Sequence, residues 1–400
     1  MKIALVSPYD YGVPGGVGKH IGALAHQFRQ SGHEVRILAP ASDGDADDQS
    51  DGVYRIGRVT PVPGNGSVAR ITIASPMWSR LSRRVRQVLD AERFDVIHVH
   101  EPLMPSLPLA VLMAGAGQAI KVGTFHAYRE SYYGYYYGRP LLRGIVRRLD
   151  GRVAVSRAAY EFVSRYFPGT YSIIPNGVDL HIFRPDVAPP ARYVDDRPTV
   201  LFVGRLEKRK GLAYLIRAYE RMRQSLPEVR ILVVGRQGRA GRRYIRYVRE
   251  HNFDGIEFAG EVPAGELPGY YRRCDVFCAP SLGGESFGMV LLEAMALGKP
   301  VVATAIEGYQ TVMEDGVQGR LVPPKDSGAL AEALLTMLAS PALRRACGEQ
   351  GAITARTHSW ERVAARLLRF YEDTRAGKDQ SRLPHLAPLE LDDLVALKRY

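Results

Sequence analysis

A chain of 400 residues exceeds the size at which one hydrophobic core keeps growing, so two domains are expected, and a hydrophobic content of 46% lets both fold. The three cysteines, Cys274, Cys278 and Cys347, form an odd, sparse set without paired-thiol spacing. That argues against a disulfide framework or a zinc site and points to reduced cytosol. A formal charge of +12, carried mostly by arginine, asks for an acidic partner, and nucleic acid, anionic lipid and nucleotide all qualify.

Met1 runs directly into Ile3-Ala-Leu-Val6, which reads as a first strand rather than a signal peptide. In the first half, short β-branched runs mark strands over 2–7, 34–39, 96–100, 122–125, 152–155 and 172–175. In the second half they fall at 199–203, 230–234, 256–259, 276–279 and 300–303. Helical patterns separate them, the sequence form of two Rossmann-like units in tandem. The most apolar stretch, 107–120, is broken by Pro108, glycines and Gln118 and is shorter than the roughly 20 residues a bilayer requires. Prolines 185, 189, 190 and 198 mark a linker, and we place the boundary near Pro185. Residues 1–184 are then the first domain and 185–359 the second. A helix follows over 360–375, with Val363, Leu367, Leu368 and Tyr371 at helical spacing, and 376–400 is a tail.

The first strand ends in Ser7-Pro-Tyr-Asp-Tyr-Gly-Val-Pro-Gly-Gly-Val-Gly18, followed by a helix with Val17, Ile21, Leu24, Ala25 and Phe28 on one stripe. A glycine-rich loop entering a helix offers bare N–H groups and the positive dipole end to an anion such as a pyrophosphate. The same pattern also serves as a plain turn. Asp43-Gly-Asp45 and Asp45-Ala-Asp47 imitate a metal-binding Asp-x-Asp but belong to an acidic loop and read as solvated. Over 76–90, Leu81, Val85, Val88 and Leu89 take one side of a helix and Arg80, Arg83, Arg84 and Arg86 another, with Trp78 near the start. This is either an ordinary Rossmann helix or one that meets anionic head groups. His98-Val-His100 puts two imidazoles on one strand face without a third metal ligand of obvious spacing, so packing is the simpler role. Tyr132-Tyr-Gly-Tyr-Tyr-Tyr137 is an interfacial aromatic loop or a lid over the acceptor.

Val203-Gly-Arg-Leu-Glu-Lys-Arg-Lys-Gly211 repeats the strand–loop–helix logic, and Arg205 and Lys210 can converge on the same phosphates. The arginine-rich 236–249 stretch carries two tyrosines but no RNA-binding signature, and reads as a solvated or lipid-facing helix. The most specific segment runs from Pro280 to Gly298. There Glu285 lies in a glycine loop, and Glu293 sits on an otherwise apolar helix, where a carboxylate needs a partner such as ribose hydroxyls.

Gly15-Gly16, the Gly204-Arg205…Lys210-Gly211 loop and the Glu285…Glu293 pair together resemble the retaining GT-B glycosyltransferases, over essentially 1–374. More narrowly, Ser7-Pro-Tyr9…Val13-Pro-Gly-Gly-Val17, Asn65-Gly-Ser-Val-Ala-Arg70, His100-Glu-Pro, Thr124-Phe-His126, Ile174-Pro-Asn-Gly-Val-Asp179 and Leu282-Gly-Gly-Glu-Ser-Phe-Gly288 resemble the phosphatidylinositol mannosyltransferases. The resemblance implies α/β GT-B architecture: two Rossmann-like domains facing across a cleft, with the C-terminal helix over 360–375 crossing back to the N-terminal domain. It implies Gly15 and Gly16 at the donor β-phosphate, and Arg205 and Lys210 on the departing diphosphate. Glu285, with Ser286, Phe287 and Gly288, would hold the sugar, Glu293 the ribose, Val262 the base and His126 the sugar 6-hydroxyl. Tyr9, Asn65, Ser67 and Arg70 would be acceptor-binding, with Arg70 on the lipid phosphate, and the basic helix with Arg80, Arg83, Arg84 and Arg86 would meet the membrane.

The expected activity is transfer of a hexose, mannose from GDP-mannose, to a phosphatidylinositol-type lipid with retention. The enzyme would be cytoplasmic and peripheral on the inner face of the cell membrane. No cofactor is required and no metal site is expected, although Mg²⁺ is compatible. Transfer from a UDP-sugar to diacylglycerol or another lipid is the enzymatic alternative. A nucleic-acid-binding protein would explain the charge but leave Glu285 and Glu293 without a purpose.

Overall fold

Apolar strands that must be covered on both faces demand helices on each side of a parallel sheet, and both halves of the chain fold this way. The computed structural model describes residues 1–13, 15–41, 52–64, 67–71, 80–115, 117–128 and 132–380, with backbone alone at 41, 61–64, 67–70, 239 and 379–380. In the first half the elements are β1 (Lys2–Val6), α1 (Gly16–Gln30), β2 (Glu34–Ala41), β3 (Val53–Arg58), β4 (Thr60–Gly64), β5 (Ser67–Ile71), α2 (Arg80–Glu92), β6 (Val96–His100), α3 (Leu107–Ala114), β7 (Ile120–Phe125), α4 (Tyr133–Val146), β8 (Gly151–Ala154), α5 (Arg157–Tyr166) and β9 (Ser172–Ile173). The second half contributes β10 (Thr199–Val203), α6 (Leu212–Ser225), β11 (Arg230–Val234), α7 (Arg239–Glu250), β12 (Ile256–Gly260), α8 (Leu267–Arg273), β13 (Val276–Ala279), α9 (Met289–Ala296), β14 (Val301–Thr304), α10 (Glu307–Gln310), β15 (Gly319–Val322), α11 (Ser327–Ala339), α12 (Pro341–Thr357) and α13 (Trp360–Gln380).

The first sheet has the order β3-β2-β1-β6-β7-β8-β9 and the second β12-β11-β10-β13-β14-β15, both parallel. Each order reverses beside its first strand, between β1 and β6 and between β10 and β13. Crevices open there at the strands' carboxyl ends, the place where open α/β sheets bind ligands. One face of the first sheet is covered by α2 to α5, through Val85, Leu107, Val111 and Phe162. The other is covered by α1 and by α13, which brings Val363, Leu367 and Tyr371 against Ile21, Leu24 and Phe28. The last helix therefore crosses back onto the first domain, as expected.

Among the described residues the structure adds four short strands outside the apolar runs. β3 and β15 are sheet-edge strands, and β4 and β5 form an antiparallel hairpin with Thr60 opposite Ile71. Strands such as Val53-Tyr-Arg-Ile-Gly-Arg58 carry polar residues and a glycine, which hides them from a search for continuous apolar runs. α13 also runs past Arg375 to Gln380. Its added length is tied down by Arg375 on Asp95 (3.3 Å) and Lys378 on Asp150 (2.7 Å).

The chain passes between the domains twice, and the two passages are hydrogen-bonded to each other. Val178 N–H donates to the His358 carbonyl (2.9 Å) and Trp360 N–H to the Val178 carbonyl (3.3 Å), an isolated parallel bridge between Val178 and Ser359. Gly177 makes the approach possible: a Cβ there would lie 2.6 Å from the Trp360 ring and 3.1 Å from the His358 carbonyl. Gly177→Ala should therefore destabilise the protein by roughly 1–3 kcal/mol, the usual cost of overpacking, with a lower thermal midpoint. An unchanged midpoint would show that the two passages can separate freely.

Candidate active site

The wall of the cleft on the first domain begins after β1. Ser7 is buried, and its Oγ accepts from Tyr9 N–H (3.2 Å) and donates to the Tyr9 carbonyl (2.8 Å), while Asp10 Oδ1 accepts from Gly12 N–H (3.1 Å). These bonds fold the loop so that α1 starts at Gly16 with extended Gly15 as its N-cap and no side-chain cap. A Cβ on Gly16 or Gly18 would meet nothing within 4 Å, and one on Gly15 only the Val13 carbonyl at 4.0 Å. Nothing among the described residues requires glycine at these positions. What their smallness leaves is bare backbone at a helix N-terminus, open to close approach by an anion.

On the opposite wall, β10 leads into Gly204, Arg205 and a 3₁₀ turn over Lys208–Lys210 that ends at left-handed Gly211 (φ 74°). A Cβ on Gly211 would lie 1.7 Å from the Pro280 carbonyl, so only glycine lets this loop dock on the segment after β13. The docking forms an ion cluster. Glu285 Oε1 accepts from Lys210 Nζ at 2.7 Å and also from Arg209 Nη1, while Glu207 takes Arg209 Nε and Arg205 Nη1, each at 3.0 Å. Burial alone would raise the Glu285 carboxyl, but Lys210 and Arg209 outweigh it and hold it below the ordinary carboxylate range. Arg209 is in turn raised: burial opposes its charge and Glu285 and Glu207 support it. Lys210 and Glu285 thus come together directly. Arg205 stands apart from Glu285, exposed and paired with Glu207 at the lip of the cleft.

Ser286, Phe287 and Gly288 follow Glu285 into α9. Gly288 is its left-handed N-cap (φ 107°), without a side-chain cap, so this helix also presents bare amides. Gly308 lets α10 approach, since a Cβ there would sit 2.1 Å from the Glu285 carbonyl. Phe287 is buried in the second domain's core, and Val262 packs at its margin. Glu293 is 6% exposed and accepts from the buried Tyr271 hydroxyl (2.7 Å). That hydroxyl is pushed well above its usual range by burial and by the Glu293 charge. The second oxygen of Glu293 faces Lys19 of α1 at 3.6 Å, across the cleft.

His126, just past β7, is 9% exposed, and its N–H donates to buried Glu101 (2.7 Å). Its Nε2 lies 2.9 Å from His100 Nδ1, and the His20 ring stacks edge-on against it with centroids 4.8 Å apart. Behind them, His98 is held by Tyr371 and Thr124, both at 2.6 Å, and His20 by Asn176 at 2.7 Å. His98 therefore packs as its strand position suggested. For His100 the fold supplies neighbours that strand spacing does not show: donor atoms of His20, His100 and His126 lie within 4.8 Å of one another, a grouping able to take a divalent cation. The direct His100–His126 contact already occupies one nitrogen of each ring.

Sequence reasoning did not single out Arg209, Lys19, Glu101, Tyr271 or His20. Three of them had a signal: Arg209 lies in the basic loop 203–211, Glu101 in the His100-Glu-Pro motif, and His20 on the buried stripe of α1 beside Ile21 and Leu24. Of the acceptor-side residues, Tyr9 lies on the described loop, Ser67 and Arg70 are described as backbone on β5, and Asn65 is outside the described residues. The acidic loop, Trp78 and 381–400 are also outside them. In α2, Leu81, Val85, Val88 and Leu89 are buried, and Arg80, Arg83 and Arg86 are exposed. Arg84 is half-buried and lies near Tyr54, whose hydroxyl burial and Glu92 push up to about 12.

Burial drives His20 down to about 4 despite its Asn176 bond, His98 to about 3, and His100 and His126 well below the ordinary 6.5. These rings are neutral when folded and bind protons more readily when unfolded, so stability rises with pH through that interval. It is lost as pH falls from about 6.5 towards the folded values. For His20 alone, moving from about pH 7 to about pH 5 should remove on the order of 2 kcal/mol. His20→Gln, which keeps a polar partner for Asn176, should show a shallower loss in thermal unfolding of the first domain. Parallel curves would acquit this imidazole.

The match to known proteins covers both walls of this cleft. Residues 14–182 match the model described as Glycosyltransferase Family 4, and 186–379 match Glycosyl transferases group 1. The phosphatidyl-myo-inositol mannosyltransferase of Mycobacterium leprae is 37% identical over 374 residues, 93% of this chain and 96% of its own. That of Mycobacterium tuberculosis H37Rv is 38% identical over 391 residues, covering 94% and 98%. Among solved structures, sucrose-phosphate synthase from Thermosynechococcus elongatus superposes with a TM-score of 0.70 at 24% identity over 94% of this chain and 99% of its own. Anabaena HepE in complex with UDP and glucose gives 0.69 at 19% identity, over 93% and 99%. Matched along nearly the full length of both partners, the chain belongs to the group 1 glycosyltransferases of the GT-B fold, in one family with the phosphatidyl-myo-inositol mannosyltransferases.

Proposed function

We propose that this enzyme transfers mannose from GDP-mannose, with retention, to a phosphatidylinositol-type lipid. The observation that carries the reading is the Glu285 carboxylate, held ionised on Lys210 and Arg209 beside the uncapped N-terminus of α9. A charged acceptor group next to donor amides suits a sugar's hydroxyls on one side and a diphosphate on the other. Relatives named for this activity at 37–38% identity across more than nine-tenths of the chain favour mannose and the inositol lipid over a UDP-sugar and diacylglycerol.

The bare amides of Gly15 and Gly16 meet the β-phosphate, and Lys210, with Arg205 swinging inward from Glu207, neutralises the diphosphate as it departs. Glu285 and the Ser286–Gly288 turn orient the sugar, and Val262 borders the base. Glu293 takes the ribose hydroxyls, releasing Lys19. His126, neutral and fixed through Glu101 and His100, touches the sugar 6-hydroxyl near the anomeric carbon. The acceptor hydroxyl attacks on the face the diphosphate leaves, and a leaving phosphate oxygen takes its proton. Tyr9, Asn65, Ser67 and Arg70 form the acceptor side. The protein needs no resident cofactor, and any Mg²⁺ arrives with the diphosphate. Among the described residues no helix is long and apolar enough to cross a membrane. α2 provides attachment to an anionic surface, on the cytoplasmic face, through Arg80, Arg83 and Arg86.

A panel of GDP- and UDP-sugars against phosphatidylinositol and diacylglycerol, read by product mass, tests the reading. It expects one hexose added to phosphatidylinositol from GDP-mannose, and a product only from a UDP-sugar would overturn it. Arg205→Ala and Lys210→Ala should each lower kcat by roughly 10²-fold. Glu285→Gln should impair transfer far more than GDP binding, whereas Glu293→Gln should weaken GDP binding itself. Identical GDP affinity in Glu293→Gln and native protein would remove the ribose role. Because Arg84 is half-buried, the membrane test is Arg80, Arg83 and Arg86 together to Ser. Association with anionic vesicles at low salt should weaken by about 3 kcal/mol, at about 1 kcal/mol per basic residue.

A further inference from the structure

α4 has two apolar faces. One, with Tyr135, Ile145 and Val146, is buried in the first domain's core. On the other, Tyr133, Tyr136, Tyr137 and Leu141 are 74%, 63%, 75% and 77% exposed. Their spacing of three, four and eight residues from Tyr133 makes a continuous stripe, and the Tyr133 and Tyr137 rings stack with centroids 6.4 Å apart. Pro140 lies on the same side and has no N–H for the Tyr136 carbonyl. A helix apolar on both sides is ordinarily buried on both, yet nothing among the described residues covers this stripe.

We infer that the tyrosine–leucine stripe of α4 is a second membrane contact, seated in the interfacial layer of the bilayer beside the acceptor's head group. The inference rests on the lipid-acceptor reading. Charge supports this occupant: Arg139, Arg143 and Arg147 follow the helix at four-residue intervals, no acidic residue occurs between Tyr132 and Arg148, and Arg143 and Arg147 form no ion pair among the described residues. Tyrosine and leucine flanked by arginine is the composition of an interfacial helix, with rings at the head-group level and guanidinium groups on phosphates. Position supports it too. α2 and α4 cover the same face of the first sheet with α3 packed between them. The start of α4 also adjoins the cleft: Tyr135 is buried in the first domain's core, and burial first, then the charge of Glu101, pushes its hydroxyl well above the usual range. A bilayer touching α2 and α4 together would bring lipid to the acceptor side. The two contacts differ in kind: α2 acts through charge that salt screens, and α4 through apolar burial that salt leaves intact.

The test is sedimentation with mixed phosphatidylinositol–phosphatidylcholine vesicles at low and high salt. It compares native protein, the α2 triple Ser variant, and a variant with Tyr133, Tyr136, Tyr137 and Leu141 all changed to Ser. The α4 variant should lose the salt-resistant part of binding, roughly tenfold or more, while GDP-mannose affinity and thermal midpoint stay native. Native-like sedimentation at both salt levels overturns the inference. So does a stripe covered by a second copy, seen as a native dimer in light scattering that the α4 variant dissolves. A milder variant, Tyr137→Trp, should show fluorescence quenched by brominated lipid beyond the native signal, and no added quenching also overturns it. Product formation is scored separately. If native protein binds vesicles through α4 but adds no hexose to phosphatidylinositol, the acceptor reading fails and the contact stands.

Discussion

The bridge between Val178 and Ser359 sets the frame for the rest of the structure. Two chain passages that cross from one domain to the other at the same place, and hydrogen-bond there, leave the domains a shared pivot instead of two independent tethers. Around that pivot α13 lies on the first sheet, and the Trp360 ring packs edge-on against His20, centroids 5.1 Å apart. His20 in turn is bonded to Asn176, two residues before Val178. The pivot is thus in direct contact with the imidazole cluster that borders the cleft. A change in domain angle cannot occur without repacking residues next to the candidate site.

Around the cleft the charges are arranged in pairs. Glu285 is held by Lys210 and Arg209, Arg205 by Glu207, and Glu293 faces Lys19. Each pair joins groups that separately suit a nucleotide sugar: cations for a diphosphate, carboxylates for hydroxyls. Unpaired, these buried or half-buried charges would carry a desolvation penalty. Paired, they can exchange partners when the donor enters. Arg205 and Lys19, half exposed, can move at little cost. Lys210 and Glu285 are more enclosed and form the fixed part of the site.

Much of this was legible in the sequence, because parallel strands buried on both faces must be apolar throughout and their ligand loops must be glycine-rich. The strand-end loops at Gly15-Gly16, Gly204-Arg205 and Glu285 follow from that. What the sequence hides is orientation set by distant contacts. Arg209 and Lys210 are adjacent cations, and that both reach Glu285 depends on a 3₁₀ turn whose exit, Gly211, fits only under the Pro280 carbonyl. The histidine cluster draws on α1, the end of β6 and the residue after β7. It becomes visible only once the register setting His100 opposite Thr124 places His126 beside it. The edge strands β3 and β15 escape for a local reason, since polar residues and a glycine interrupt their apolar runs.

The neutrality of those imidazoles bears on the proposed chemistry. Departure of a diphosphate leaves positive charge at the anomeric carbon, and the groups on its first-domain side should not add to it. Burial of His20, His98, His100 and His126 together, each lowered further by another of the rings except His20, keeps these four rings uncharged at neutral pH. Lys210 and Arg209 stand on the second domain, where they balance Glu285. Cations on the second domain, and neutral imidazoles beside the buried Glu101 carboxylate on the first, give the gradient that favours separating an anion from a developing cation. His126 also has its N–H fixed by Glu101, a residue held at positive φ (51°). For a non-glycine residue that conformation is uncommon, and residues kept in it cluster at functional sites.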